Sequence, residues 1–165
     1  MSVEAKQAKQ VIIDEIKEKL DGAQSAVVID YMGTTVAQAD AMRKKLREAN
    51  VDYTVYKNTL IKRAIEGTEF APLADVLDGP SAIAISKEDA TAPARVLKEV
   101  IDEFKKMEFK AGVVEGTFFD QNGIKEIANI PNRDVLIAKF MGSIQSPISK
   151  AVRTFQAIAD AKAEA

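Results

Sequence analysis

The pattern of apolar and polar positions predicts alternating helices and strands along most of the chain. Apolar residues recur every three or four positions over Val3–Leu20 and again from Val36 to Ala49, which is typical of amphipathic helices. The continuous apolar run at 26–29 predicts a strand buried on both faces. The alternation over 51–56 predicts a second strand. The start of the chain therefore predicts a helix followed by a β-α-β unit.

A second β-α-β unit is predicted after the Asp-Gly-Pro breaker at 78–80. Residues 81–85 and 109–117 have the pattern of strands, and a helix with Pro93 in its first turn lies between them. A short helix at 60–65 separates the two units. Two β-α-β units with four strands predict the α+β class, as a ferredoxin-like sandwich with its helices on one face of the sheet. A small flavodoxin-like sheet is the alternative.

The last part of the chain, 132–165, has the pattern of one long helix. Asn132 is a typical N-cap residue, and Pro147 is expected to kink the helix or divide it in two, because proline lacks the backbone donor. At about 1.5 Å per residue this helix would span roughly 45 Å, whereas the preceding domain is expected to have a radius of gyration of roughly 14 Å. We therefore predict a globular domain, 1–131, and a long projecting C-terminal helical arm, 132–165.

An apolar stripe runs along the second half of this arm. Its members recur at steps of three or four residues: Ile144, Ile148, Val152, Phe155 and Ile158. Burial of one such side chain is worth about 1.5–3 kcal/mol, so we expect the stripe to be covered. The pattern alone leaves open whether the arm's own domain or a partner covers it.

The amino-acid composition excludes most kinds of active site. The chain has no histidine and no cysteine, which removes Ser-His-Asp and Cys-His catalysis and zinc sites. Neither a glycine-rich phosphate loop nor a dinucleotide-binding fingerprint is present. We therefore predict a protein that is not an enzyme and has no cofactor and no metal. A site built from carboxylates alone is the remaining catalytic alternative.

Composition and charge also indicate the cellular setting. The absence of cysteine fits a reducing, cytosolic environment. No apolar run is long enough to span a membrane, and the N-terminus lacks the pattern of a signal peptide. The formal net charge of −2 does not itself predict nucleic-acid binding. Any basic surface must therefore come from local clustering.

The turn at 56–63 is the best candidate for such a cluster. Asn58 or Thr59 is expected to cap a short helix, and Lys57 lies beside the free amides at its start. A helix N-terminus next to a cation favours an anion such as phosphate. The loop at 31–35 follows a strand one β-α unit earlier, so we expect it at the same edge of the sheet. An ordinary capped helix with scattered surface lysines is the alternative.

Several blocks of sequence, in the same order, resemble one protein family. They are Tyr31-Met32-Gly33-Thr34-Thr35, Leu46-Arg47, Val55-Tyr56-Lys57-Asn58-Thr59-Leu60 with Ala64, Leu77 to Ala84, Ile130-Pro131 with Leu136-Ile137-Ala138, and Gly142 to Ile148. Together they cover nearly the whole chain. On these blocks the chain resembles the bacterial large-subunit ribosomal stalk-base protein, the ribosomal protein L-ten family.

The resemblance implies a structural role in translation. It implies a cytoplasmic, ribosome-bound protein whose globular domain binds large-subunit rRNA beside ribosomal protein L-eleven. The C-terminal helix would carry dimers of the acidic stalk protein, L-seven/L-twelve, which recruit translational GTPases. It also implies that the complex represses translation of its own messenger. A soluble adaptor that binds no RNA and pairs through its C-terminal amphipathic helix is the alternative.

The resemblance also implies which residues make the contacts. For RNA they are Lys57, Asn58, Thr59, Arg63, Gly33, Thr35 and Arg43, with Lys6 and Lys9 as weaker candidates. For the stalk-protein dimers they are Ile148, Val152, Phe155 and Ile158. Two dimers are expected rather than three, because the chain ends soon after the stripe, whereas longer family members continue it.

Overall fold

The structure is a computed structural model that describes residues 3–163, without the side chains at 3–6, 8, 148 and 158–163. It divides into two compact units, Met1–Ile130 and Pro131–Ala165. We call the first the globular unit and the second the arm. The sequence places the division between them one residue later.

The helices and strands lie close to their predicted positions. The helices are α1 Val3–Leu20, α2 Val36–Glu48, α3 Asn58–Ile65, α4 Ala92–Phe104, α5 Gln121–Ile127 and α6 Arg133–Ala163, with a 3-10 helix at Ala71–Asp75. The strands are β1 Ser25–Asp30, β2 Val51–Thr54, β3 Ala82–Ser86, β4 Glu108–Val114 and β5 Thr117–Asp120.

The strands form one antiparallel sheet in the order β2-β3-β1-β4-β5. β3 lies between β1 and β2, which α2 connects. β1 lies between β3 and β4, which α4 connects. Two interlocked split β-α-β units are the arrangement of a ferredoxin-like sandwich. The predicted α+β class is therefore confirmed. The flavodoxin-like alternative is wrong, because it requires a parallel sheet.

The sheet has five strands, so the predicted number of four is wrong. Residues 109–117, predicted as a single strand, instead end at a two-residue turn and continue into β5. Both turn residues, Glu115 and Gly116, have positive φ angles, of 49° and 74°. Such a turn matches the twist of a tight hairpin, but glutamate rarely adopts this conformation. The Glu-Gly pair therefore gave little sign of a turn.

Helices cover both faces of the sheet, and the prediction that they lie on one face is also wrong. Alternate residues of β1 belong to different cores. Val27 and Ile29 pack with α2, α4 and α5, whereas Ala26 and Val28 pack with α1 and α3. All four are fully buried. A strand that is apolar on both faces needs a layer of helix on each of them.

The arm is one continuous helix, α6. The side-chain oxygen of Asn132 accepts a hydrogen bond from the Val135 amide at 3.1 Å, so the predicted N-cap is confirmed. Pro147 lies inside the helix, so of its two predicted effects the division of the helix is wrong, and the kink stays a prediction. Among residues 3–163, no helix is long and apolar enough to cross a membrane.

Candidate nucleic-acid interface and terminal arm

The loops after β1 and β2 leave the sheet at the same end, as the sequence predicted. Ile83 of β3 pairs with Val28 of β1 on one side and with Thr54 of β2 on the other. β1 and β2 both run antiparallel to β3, so their carboxyl ends point the same way. The loop at 31–35 and the turn at 55–57 therefore share one end of the globular unit.

The loop at 31–35 is held by its own hydrogen bonds. The Asp30 carboxylate accepts from the Met32 amide at 2.8 Å, and the Thr34 hydroxyl donates to the Tyr31 carbonyl. Gly33 has a φ of 78°, which side chains of L-residues rarely adopt. The loop therefore has a fixed shape in which glycine keeps its backbone open.

Thr35 ends this loop and begins α2 with the predicted capping box. Its hydroxyl accepts from the Gln38 amide at 3.4 Å, and its own amide donates to the Gln38 side chain at 3.0 Å. The hydroxyl oxygen is therefore used inside the protein. Its hydrogen can still be donated to a ligand.

A groove of about 490 Å³ lies between this loop, the first half of α2 and the end of β2. Three predicted RNA-binding residues, Gly33, Thr35 and Arg43, line it together with Tyr31, Tyr53 and others. Arg43 is exposed, and its guanidinium lies 3.9 Å from the Asp40 carboxylate. An exposed pair at this distance is weak, so Arg43 can exchange that partner for a phosphate.

The rim of the groove is apolar. Met32, Val36 and Val55 line it and are 63%, 79% and 41% exposed. Burial raises the pKa of Tyr53 on the groove wall to about 12, although the charge of Arg43 acts in the opposite direction. The Tyr53 hydroxyl therefore stays protonated at neutral pH. The groove combines apolar surface, hydroxyls, one cation, Arg43, and one carboxylate, Asp40.

The turn before α3 differs from its predicted form. Lys57, rather than Asn58 or Thr59, is the N-cap residue, and its side chain makes no capping hydrogen bond. The Asn58 side-chain amide instead donates to the Gly79 carbonyl at 2.7 Å, because the loop before β3 lies against the start of α3. The first turn of α3 thus keeps a positive end without a side-chain acceptor, beside the exposed ammonium of Lys57.

A cluster on α1 fixes the other side of this turn. The Tyr56 hydroxyl donates to the Glu15 carboxylate at 2.8 Å. Lys19 lies 3.3 Å from Glu15 and 3.0 Å from Asp52. The hydrogen bond from Tyr56, followed by that from Lys19, holds the pKa of Glu15 below its usual value. The residue that precedes Lys57 is therefore tied to α1.

Not all predicted RNA-binding residues come together. Lys57, Asn58 and Thr59 begin α3, whereas Arg63 is exposed in its last turn. Lys9 is exposed on α1, and the side chain of Lys6 lies outside the described residues.

No role was predicted for Lys110 of β4, which lies at this end of the sheet. Its ammonium donates to the loop before β3 at Pro80, 2.7 Å, and at Ser81, 3.0 Å. The available signal was a lone lysine in a strand that is otherwise mainly buried.

Large apolar side chains are exposed along the arm. Val152 is 55% exposed and Phe155 is 72% exposed, while the side chains of Ile148 and Ile158 lie outside the description. Exposure begins well before the predicted stripe, at residues that the sequence did not assign to a partner: Val135, Leu136, Ile137, Phe140 and Met141.

The described residues contain no group of three or more acidic side chains placed to hold a metal ion. At the shared end of the sheet they present cations, amides, hydroxyls and apolar surface, together with the exposed carboxylates of Asp40 and Asp78. This is a surface suited to binding.

Comparisons with known proteins agree with the resemblance. A family model described as Ribosomal protein L10 matches residues 4–102, and one described as Ribosomal protein uL10 C-terminal region matches 130–165. A relative from Clostridioides difficile (strain 630), named large ribosomal subunit protein uL10, is 47% identical over 152 residues, which cover 92% of this chain and 90% of the relative.

A protein of the same name from Bacillus cereus (strain B4264) is 42% identical over 158 residues, which cover 96% of this chain and 95% of the relative. The protein of that name from Bacillus anthracis (strain A0248) matches to the same extent. These matches extend over both the globular unit and the arm. The chain therefore belongs to the ribosomal protein L10 family, the L-ten family that its sequence blocks resemble.

Proposed function

We propose that the globular unit binds large-subunit rRNA through the shared end of the sheet and that the arm anchors dimers of the acidic stalk protein. The family is one of structural ribosomal proteins, not enzymes, and the chain is accordingly a protein of the large ribosomal subunit. The observation that carries the RNA proposal is the exposed Lys57 at the uncapped start of α3, at the same end as the groove.

Each part of this end suits a different part of an RNA. Lys57 and the first amides of α3 would contact phosphate, as would Arg43 in the groove. Gly33 keeps the backbone open to a sugar or phosphate. The apolar rim at Met32 and Val55 would lie against unpaired bases, which RNA-binding proteins commonly contact by stacking and apolar surface.

The arm suits a protein partner. Val152 and Phe155 are exposed, and their removal from water would each contribute about 1.5–3 kcal/mol to binding. With Ile148 and Ile158 on the same predicted stripe, we propose that two stalk-protein dimers bind here. The complex would lie beside ribosomal protein L-eleven in the cytoplasm, recruit translational GTPases and repress its own messenger.

The RNA proposal is tested by reversing one charge. Lys57→Glu is expected to weaken binding to a large-subunit rRNA transcript and to reduce the slope of log K against log salt by at least roughly 0.7–0.9, since one phosphate contact is lost. Lys125→Glu, which makes the same charge change on exposed α5, is the matched control. Equal effects of the two variants in filter-binding assays would refute a specific contact.

The arm proposal is tested by placing a charge on its stripe. Phe155→Asp is expected to release stalk-protein dimers while rRNA affinity is kept, and Gln156→Asp, on the adjacent exposed position, is expected to keep both. Native mass spectrometry of the chain purified from its host after nuclease treatment reads this directly. One chain with four copies of a small acidic protein is the expected species. A homodimer would favour the adaptor that pairs through its own helix.

A further inference from the structure

Lys110 occupies an irregular position between β1 and β4. Val28 pairs with Ala111, whereas the next residue of β1, Ile29, pairs with Phe109. Lys110 is therefore the extra residue of a β-bulge, a feature that turns a side chain away from its regular direction. Only 16% of its side chain is exposed. The bulge thus directs a largely buried ammonium to the loop before β3.

The ammonium of Lys110 has acceptors for all three of its hydrogens. It donates to the carbonyl of Asp78, to that of Pro80 at 2.7 Å and to the Ser81 hydroxyl at 3.0 Å. The Asp30 carboxylate, 4.0 Å away, supplies an opposite charge. Burial of a charge is costly without such partners. Lys110 therefore holds the loop at 78–81 at three points.

The same loop holds the start of α3. The Gly79 carbonyl, inside the segment that Lys110 grips, accepts from the Asn58 side chain at 2.7 Å. The Asp78 carboxylate lies 3.6 Å from the ammonium of Lys62 on the same helix. Asn58 directly follows Lys57. A continuous set of hydrogen bonds therefore connects the bulge of β4 to the first turn of α3.

We infer that Lys110 is a positioning residue for RNA binding. It contacts no RNA itself; it fixes the loop at 78–81, which through Asn58 fixes Lys57 and the free amides of α3 in the orientation that receives a phosphate. This inference rests on the proposed rRNA binding and goes beyond it. A largely buried lysine, Lys110, thereby sets the affinity of the surface cation Lys57 for phosphate.

The test compares Lys110→Met with Lys57→Ala. Methionine keeps the apolar stem and removes the three donors. Lys110→Met is expected to reduce the salt slope for a large-subunit rRNA transcript by roughly 0.7–0.9, the loss of one phosphate contact, although Lys110 makes none. The double variant is expected to have the same salt slope as Lys57→Ala alone, because both changes remove the same ionic contact. The exposed Lys125→Met is the matched control and is expected to bind like wild type.

The folded fraction of each variant is measured by urea unfolding at the temperature of the binding assay. Ser81→Ala gives a second route should Lys110→Met not fold. Ser81 is 2% exposed and cannot reach RNA. Its hydroxyl accepts from Lys110 and donates to the Gly79 carbonyl at 3.4 Å, so its loss loosens the same loop and is expected to reduce the salt slope in the same direction by a smaller amount.

The outcomes separate the two proposals. If Lys57→Ala weakens binding but Lys110→Met, or Ser81→Ala in its place, binds with the wild-type slope, the positioning role is refuted and the proposed function stands. Additive losses of salt slope in the double variant would also refute it, since Lys110 would then act independently of Lys57. If Lys57→Ala binds like Lys125→Met, both proposals fail.

Discussion

Apolar stripes with similar spacing are buried in the globular unit and exposed in the arm. Leu97 of α4 and Phe155 of α6 both lie on helical stripes with a spacing of three or four residues. Leu97 is completely buried in the core beneath the sheet, whereas Phe155 is 72% exposed. The same sequence pattern can therefore mark a stripe that is buried in its own unit or one that is exposed.

The largest expected difference in the free energy of unfolding comes from replacing one large apolar side chain by alanine in each unit. Leu97→Ala removes a buried side chain and leaves a cavity, which is expected to lower the free energy of unfolding by about 2–5 kcal/mol. Phe155→Ala is expected to change it by less than about 0.5 kcal/mol, because an exposed side chain is lost. Urea unfolding compares the two variants.

Tyrosine emission suits this comparison. The chain has no tryptophan, and its tyrosines, Tyr31, Tyr53 and Tyr56, all lie in the globular unit. The signal therefore follows that unit alone. A loss of several kcal/mol in Phe155→Ala would contradict the assignment of its side chain to the exposed surface.

Two glycines give the second comparison, in which the expected changes have opposite signs. A Cβ atom on Gly112 of β4 would lie 2.6 Å from Cδ1 of buried Ile124 and 3.1 Å from the Ala26 carbonyl oxygen. Gly112→Ala is therefore expected to destabilise the globular unit by about 1–3 kcal/mol. A Cβ atom on Gly142 of α6 meets nothing within 4 Å. Gly142→Ala is expected to stabilise the helix by about 1 kcal/mol.

The stabilities of these two variants are measured by different methods. Tyrosine emission follows the unfolding of Gly112→Ala, and far-UV circular dichroism on heating follows the helix in Gly142→Ala. Should Gly142→Ala lose helix content, the residue would have a role other than filling a helical position. Should Gly112→Ala be as stable as wild type, Ile124 would have to repack without cost.

Local patterns sufficed for much of the fold. The apolar run of β1 showed that this strand is buried, and the Thr35–Gln38 spacing identified a capping box whose two hydrogen bonds are both present. The order of the predicted elements placed the loops after β1 and β2 at one end of the sheet. Each of these features depends on residues close together in sequence or on the element order.

Features that depend on distant partners or on an unusual backbone conformation could not be predicted in this way. The Asn58 side chain donates to the Gly79 carbonyl instead of capping α3. The contacts of Lys110 depend on a bulge that only the pairing of β1 with β4 creates. The tight hairpin at Glu115 depends on a conformation that its residue type disfavours. The candidate site is therefore only partly readable from sequence, because tertiary contacts orient its residues.

The smallest expected effect concerns the residues that begin α4 and α6. The cap of the arm, Asn132, is uncharged, whereas near the start of α4 the Asp89 carboxylate accepts from the Thr91 amide at 2.9 Å and from Arg95 at 3.2 Å. Burial acts to raise the pKa of Asp89, but the hydrogen bonds from Thr91 and Arg95 outweigh it and hold the pKa below its ordinary value of 3.8. Of these two acceptors, only the Asp89 carboxylate takes up a proton in acid. The start of α4, but not the Asn132 cap of α6, is therefore expected to lose stability as this acceptor is protonated.

The sign of the pH effect follows from that lowered pKa. Because the folded state binds this proton more weakly than the unfolded chain, Asp89 contributes stability above the unfolded pKa of 3.8 and loses it as the pH falls through the lower folded value. Asp89→Asn is therefore expected to be less stable than wild type at pH 7, with the difference shrinking in acid below the unfolded pKa. Urea midpoints from tyrosine emission across that range measure it. A constant difference at all pH values would mean that Asp89 acts through its shape and not through its charge, and the helix starts of the two units would then be alike in their response to acid.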